Sequence, residues 1–342
     1  MSEKLVNLKS SVIAYCTEIG ADSLLIQGAG GNVSWKENGI LWVKASGTWL
    51  AEALEKDIFI PVDLVHMQAA LSKGDFTVSP LVSGESNLRP SIETQLHALM
   101  PHNVVVHVHS VVVLAHLVCD GWYENFQALL DDTISWTAVD YKKPGAELAE
   151  AVYSALEKIR NANVVFLQNH GVVIGGADVE EIRQTLNTII NTLCIPLKKQ
   201  SKILDKINPI QIDDNSIYSP VSDACIHELA INLEFFSCLD THWALYPDHV
   251  VFLGAAPNTF ESIEDFHDYL TTNIEKPELV FIKNIGVFVN DNFNMAKLEQ
   301  LRCYYDVLSR INELSKVNIL NQSQIGELLN WDAEKYRMHV AN

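Results

Sequence analysis

The chain has 342 residues, 48% of them hydrophobic and 20% charged, which is enough for a sizeable core in two domains or one large one. Its formal net charge of -19 at pH 7 repels phosphate backbones and anionic bilayers, so neither nucleic acid nor a membrane is an expected partner. The six cysteines are scattered with no C-x-x-C pair, which predicts free thiols and a reducing, cytoplasmic setting.

The N-terminus lacks a long apolar run, which predicts no signal peptide. The spacing of Leu5, Leu8, Val12 and Ile13 predicts a helix over 3–19, stopped by Gly20. A glycine cluster follows at 28–31. A dinucleotide-binding turn would need glycine where Val33 stands and a helix after it, whereas 40–44 reads as a strand, so that reading is rejected. The turns at Gly30–Asn32 and Ser46–Gly47 expose N–H groups that suit either a small anion between them or two plain β-turns.

Residues 61–73 read as a helix and 76–78 as a short strand. A further helix starts near Pro90 and Ser91, with Glu93, His97 and Met100 along one side, and ends at Pro101. The β-branched run 104–109 is a strand. Residues 119–135 read as loop and short helix, 137–141 as a strand and 146–160 as a helix. Strand 164–168 leads through Asn169-His170-Gly171 into strand 172–174, and a long helix covers roughly 179–199. Residues 206–222, polar and carrying Pro209 and Pro220, are read as a linker between domains at 1–205 and 223–342. In the second unit, 279–289 echoes 164–174 as strand, Asn-x-Gly, strand, with Ile285 where the first copy has His170. Residues 246–254 read as an echo of an early strand-turn, and 296–314 and 324–338 as helices.

On a strand, residues two apart share a face, so His107 and His109 can grip one cation. With His170 they form a three-histidine set, which suits catalytic zinc with an open position, one Zn2+ per chain. Glu93 is placed either to move a proton beside that ion or simply to favour a helix N-terminus.

Six segments in order over about residues 1–200 resemble the class II aldolase/adducin family: Gly30-Gly31-Asn32-Val33-Ser34, Lys44-Ala45-Ser46-Gly47, Pro90-Ser91-Ile92-Glu93-x-x-x-His97, Val105-Val106-His107-Val108-His109, Tyr141–Gly145 and Gln168-Asn169-His170-Gly171. The long form resembles the aldolase portion of rhamnulose-phosphate aldolase/short-chain dehydrogenase fusion proteins. The resemblance implies an α/β fold, three layers (αβα) around a mostly antiparallel sheet, with a smaller C-terminal α/β unit as a degenerate partial repeat. It implies zinc on His107, His109 and His170, and Glu93 as catalytic acid/base. The expected reaction is retro-aldol cleavage of a sugar or ketose 1-phosphate through a metal-stabilised enediolate. A phosphate cradle maps to Asn32, Ser46, Gly47 and Ser91, although Ile92 stands where the family often has a small hydroxyl residue. The resemblance also implies a homo-oligomer, commonly a tetramer, and a catalytic tyrosine, for which Tyr123, Tyr141 and Tyr336 are candidates. The alternatives are an epimerase, dehydratase or decarboxylase on the same fold, or a non-catalytic adducin-like interaction module.

Overall fold

Four of the five residues Val104–Val108 are valines, and this strand is the centre of the larger sheet. A computed structural model describes residues 2–130, 134–197, 207–213 and 216–341. The larger sheet contains β1 (Asn32–Glu37), β2 (Ile40–Lys44), β3 (Phe59–Asp63), β4 (Val104–Val108), β5 (Trp136–Val139), β6 (Val164–Leu167) and β7 (Gly171–Gly176). Their order is β3-β2-β1-β4-β7-β6-β5, with every pairing antiparallel except β5–β6. Alternation along β4 builds the layers. Val104, Val106 and Val108 pack with Phe166 and Val172 against helices Ser2–Gly20 and Val179–Thr192. Val105 packs with Val165 and Val173 against helices Thr94–Leu99 and Ala146–Lys158 on the other face. This is the expected three-layer architecture.

A second, smaller sheet holds β8 (Ile210–Asp213), β9 (Ser216–Pro220), β10 (Thr259–Phe260), β11 (Leu279–Ile282) and β12 (Gly286–Val289), in the order β10-β11-β12-β9-β8. The echo between the two units extends to backbone geometry. Asn169 and Asn284 sit at φ 52° and 59°, a conformation asparagine tolerates better than most residues, and Gly171 and Gly286 at 156° and 155°. Each asparagine N–H donates to a helical carbonyl, Leu117 in the first copy and Ala230 in the second.

The structure differs from the sequence reading at several points. Residues 59–63 are edge strand β3, and the helix begins only at Leu64. Pro61 is compatible with an edge strand, and Asp63 caps the helix by accepting from the His66 N–H at 2.8 Å. Residues 76–78 form no strand. The stretch read as a linker carries β8 and β9, so its prolines border strands of the smaller sheet. Residues 246–254 are a helix, Pro247–Leu253, with Pro247 in its first turn, where proline needs no donor. The helix from Val179 ends at Thr192, and the expected end at Lys199 lies outside the described residues. The C-terminal helical stretch divides into Gln322–Leu329 and Asp332–Ala341.

The two units share packing. Val111, Leu114 and Val118, around helix Val111–Leu117, join the core of the second unit. Helix Asp332–Ala341 lies over the turn at Gly47, where an added Cβ would come within 2.6 Å of Val340. Among the described residues, no helix is long and apolar enough to cross a membrane.

Phe166 tests the layer assignment. It is fully buried on β6 and meets Phe126 and Trp136 edge-on at 4.6 and 5.6 Å. Phe166→Ala is expected to cost about 3–5 kcal/mol. A urea midpoint corresponding to a loss below about 1 kcal/mol would contradict this packing.

Candidate metal centre

Sheet register brings the first polar groups together. Asn32 on β1 is directly opposite His107 on β4. His109 follows just past the end of β4, and His170 sits in the turn joining β6 to β7. That turn is pinned by the second unit, because the Asn169 side chain donates to the carbonyls of Leu245 and Asn318 at 2.7 and 2.8 Å. Gly171 is required beside it: a Cβ there would lie 2.4 Å from the Val108 carbonyl oxygen.

His107, His109 and His170 are all buried and offer ligand nitrogens within 4.8 Å of one another. His109 Nε2 is 3.1 Å from His107 Nε2. The tautomers of these two rings follow from their other nitrogens. His107 Nδ1 is 3.1 Å from the Val172 carbonyl, which only accepts, so Nδ1 carries the proton. His109 Nδ1 is 3.2 Å from Asp248 Oδ2. Burial alone would raise the Asp248 carboxyl, but Arg337 and then His109 hold it well below the ordinary range, so it too accepts. In the neutral form of both rings each Nε2 then presents its lone pair toward the same point, the form in which imidazoles ligate a metal.

Glu93 completes the cluster. It stands at the N-terminal boundary of helix Thr94–Leu99 but makes no capping bond with its side chain. The carboxylate turns inward instead, with Oε2 at 3.5 Å from His107 Nε2 and Oε1 at 3.5 Å from His170 Nε2. The Asn32 side chain donates to Oε2 at 2.7 Å, while Oε1 has no hydrogen-bond partner. Burial pushes the Glu93 carboxyl up to about 8, opposed by Arg337 and reinforced by Asp248. Burial lowers His170 to about 3, with His109 adding repulsion, and burial likewise holds His107 well below its ordinary value. Both rings are thus neutral, the form that binds metal.

The expected cradle residues, Asn32, Ser46, Gly47 and Ser91, line one small cavity with Glu93, His109 and His170. Their roles divide. Asn32 is committed to Glu93, and Ser91 Oγ accepts the Glu93 N–H at 3.2 Å. Ser46 Oγ is buried without a hydrogen-bond partner. None of the tyrosine candidates lines this cavity. Tyr336 comes nearest, lining an adjoining cavity where its hydroxyl accepts the Arg89 N–H at 3.3 Å. Tyr123 is exposed, and Tyr141 is half-buried, with its acidity reduced first by burial and then by nearby glutamates.

Four further charged residues reach the cavity: Lys44, Asp248, Glu334 and Arg337. The Lys44 ammonium donates to the carbonyls of Ala29 and Gly31 at 2.9 and 3.1 Å, and burial pulls it down to about 7. Arg337 grips both oxygens of Asp248 at 2.6 and 2.7 Å and reaches Glu334 at 3.3 Å. Lys44 lies in the Lys44–Gly47 motif, whose pattern alone gives it no role. The other three come from far along the chain, and no local pattern marks them.

Three imidazoles and a carboxylate around one buried point define a candidate mononuclear metal site with an acid/base group beside it. The family model described as Class II Aldolase and Adducin N-terminal domain matches residues 10–195, and the chain belongs to that family. It is 25% identical over 221 residues to the "Uncharacterized oxidoreductase YuxG" of Bacillus subtilis (strain 168), covering 60% of this chain but only 31% of that protein. It is 30% identical over 189 residues to the "L-fuculose phosphate aldolase" of Methanococcus maripaludis (strain C7), covering 50% of this chain and 92% of that one. Among solved structures, the N-terminal class II aldolase domain of a conserved protein from Thermoplasma acidophilum is 24% identical with a TM-score of 0.45, covering 54% of this chain and 90% of that one.

The Glu93 proton has a consequence for stability. The unfolded carboxyl titrates near 4.5 and the folded one near 8, so between these values the folded state holds the extra proton. In the metal-free protein this contribution makes stability fall as pH rises through that window. Glu93→Gln lacks the loss. Its stability relative to wild type should rise across the window by at most about 1.4 kcal/mol per pH unit and level off above it. Urea unfolding of both chelator-treated proteins measures this, and a pH-independent difference would contradict the raised carboxyl.

Proposed function

We propose that the chain is a zinc-dependent lyase that cleaves a sugar or ketose 1-phosphate by retro-aldol chemistry. The observation that carries the reading is the convergence of the buried His107, His109 and His170, with His107 Nε2 and His109 Nε2 at 3.1 Å and Glu93 facing the same point. A three-imidazole donor set fits zinc with a position left for substrate. When bound, the dication draws electron density from substrate oxygens and makes the neighbouring carbon more acidic.

The remaining chemistry belongs to the chain. Glu93 Oε1 lacks a hydrogen-bond partner and is the atom placed to move a proton, while Asn32 anchors Oε2. In the cleavage direction Glu93 takes the hydroxyl proton as the carbon–carbon bond breaks and the aldehyde forms. It then returns that proton to the carbon of the departing hydroxyketone. A nearby dication favours the ionised carboxylate that the first transfer needs.

Ser46, Gly47, Ser91 and Lys44 line the same cavity and would face the far end of a bound substrate. The Glu334 carboxyl and the Asp248–Arg337 pair line the same space. Arg337 is already paired there, so the lining favours a hydroxylated end over a phosphate dianion. We place this chemistry in a unit spanning 1–205, which holds the larger sheet, and regard 223–342, together with the strands at 210–220 that complete the smaller sheet, as a degenerate second unit.

The test is aldehyde release from a panel of ketoses and ketose 1-phosphates, before and after chelation and zinc restoration. Cleavage should vanish with chelator and return with zinc. Glu93→Gln should keep its zinc while kcat falls about 10²–10⁴-fold. His170→Ala should lose zinc by elemental analysis. A protein that binds no divalent ion, or a Glu93→Gln variant that turns over normally, would defeat the reading. Substrate loss without aldehyde would redirect it to epimerase, dehydratase or decarboxylase chemistry.

A further inference from the structure

We propose that Asp248, braced by Arg337, is the positioning residue for His109 and sets the metal affinity of the centre from outside the region that the family model matches. The inference rests on the metal-binding reading above. Residues 248 and 337 both lie beyond 195, the end of that match. Asp248 is only 2% exposed, and its Oδ2 meets His109 Nδ1 at 3.2 Å. The Arg337 guanidinium holds both carboxylate oxygens, at 2.6 and 2.7 Å, which fixes the plane of the carboxylate. Gln300 Nε2 adds a longer contact to Oδ2 at 3.4 Å.

A second observation comes from the glycine cluster. A Cβ on Gly30 would lie 3.0 Å from Asp248 Oδ2 and 3.2 Å from His109 Nδ1. Glycine at this position thus leaves room for the carboxylate and the imidazole to meet. The three histidines also differ in support. His107 leans on a backbone carbonyl, and His170 Nδ1 is buried with no hydrogen-bond partner, whereas His109 has a carboxylate. A carboxylate behind a ligating imidazole fixes its tautomer and ring plane and makes the ligating nitrogen more basic.

The test uses the full chain and two variants. Asp248→Asn is nearly isosteric and keeps one oxygen for Arg337. The double variant Asp248→Leu with Arg337→Met removes the pair as a unit and leaves neither member buried alone, a replacement that folded proteins often tolerate. Zinc affinity is measured by competition with a chromophoric chelator. Coordination is read from the visible absorption of the Co2+-loaded protein, and folding from circular dichroism. Both variants should remain folded and bind zinc about 10- to 100-fold more weakly, the double variant more so, with a shifted cobalt spectrum. Asp248→Glu should recover part of the affinity. Wild-type zinc affinity and an unchanged cobalt spectrum in the two folded variants would overturn this inference alone. Failure of the wild-type protein to bind either ion would overturn the proposed function with it.

Discussion

The structure depends on one electrostatic constraint: imidazole lone pairs and a carboxylate are turned toward a single buried point. Such a cluster is costly to bury, and a flexible scaffold would relax it by rotating one ring away. Here two of the rings and the Glu93 carboxyl are held by neighbouring groups. Val172 holds His107, Asp248 holds His109, and Asn32 holds Glu93. The charge balance follows the same logic. Asp248 keeps its charge because Arg337 is bound to it, while Glu93, further from that guanidinium's fork, takes up a proton more readily.

The fold provides these supports through close backbone approach. β1 and β4 are paired so that Asn32 faces His107 across the sheet. Gly171 lets the turn bearing His170 close against the Val108 carbonyl, and Gly30 leaves space beside His109 for Asp248. Two of the glycines in the sequence motifs thus serve the candidate centre sterically. They let polar groups from different segments come within hydrogen-bond distance, so neither needs a phosphate contact to account for it.

The candidate cluster of His107, His109, His170 and Glu93 was legible in the sequence because each sits in a short pattern whose geometry is local: two residues apart on a strand, a strand-ending Asn-His-Gly, the start of a helix. The three-layer architecture was legible for the same reason, since the valine run of β4 alternates between two apolar faces. Lys44, Asp248, Glu334 and Arg337 carry no such pattern. The stretch around Asp248 reads as an echo of an early strand-turn, and only tertiary packing brings this aspartate 139 positions back to His109. The misread secondary structure has the same cause. Residues 61–73 read as a helix and the proline-bearing 206–222 as a linker, yet Pro61 lies in an edge strand and Pro220 at a strand end, where a missing N–H costs little.

The second unit repeats the turn geometry of the first without its chemistry. Asn284 and Gly286 reproduce the backbone of Asn169 and Gly171, but Ile285 occupies the histidine position. A histidine does lie against this turn: His227 accepts the Val287 N–H at 3.0 Å and donates from Nε2 to the Val221 carbonyl at 2.9 Å. With both nitrogens committed, it has no lone pair for a metal, and among the described residues only the first unit assembles a candidate ligand cluster. What the second unit contributes is mechanical and electrostatic. It anchors Asn169, closes over Gly47 and places a braced carboxylate behind His109. The geometry that presents a ligand in one copy is thus kept in the other as packing, and that packing lets distant residues reach a single centre.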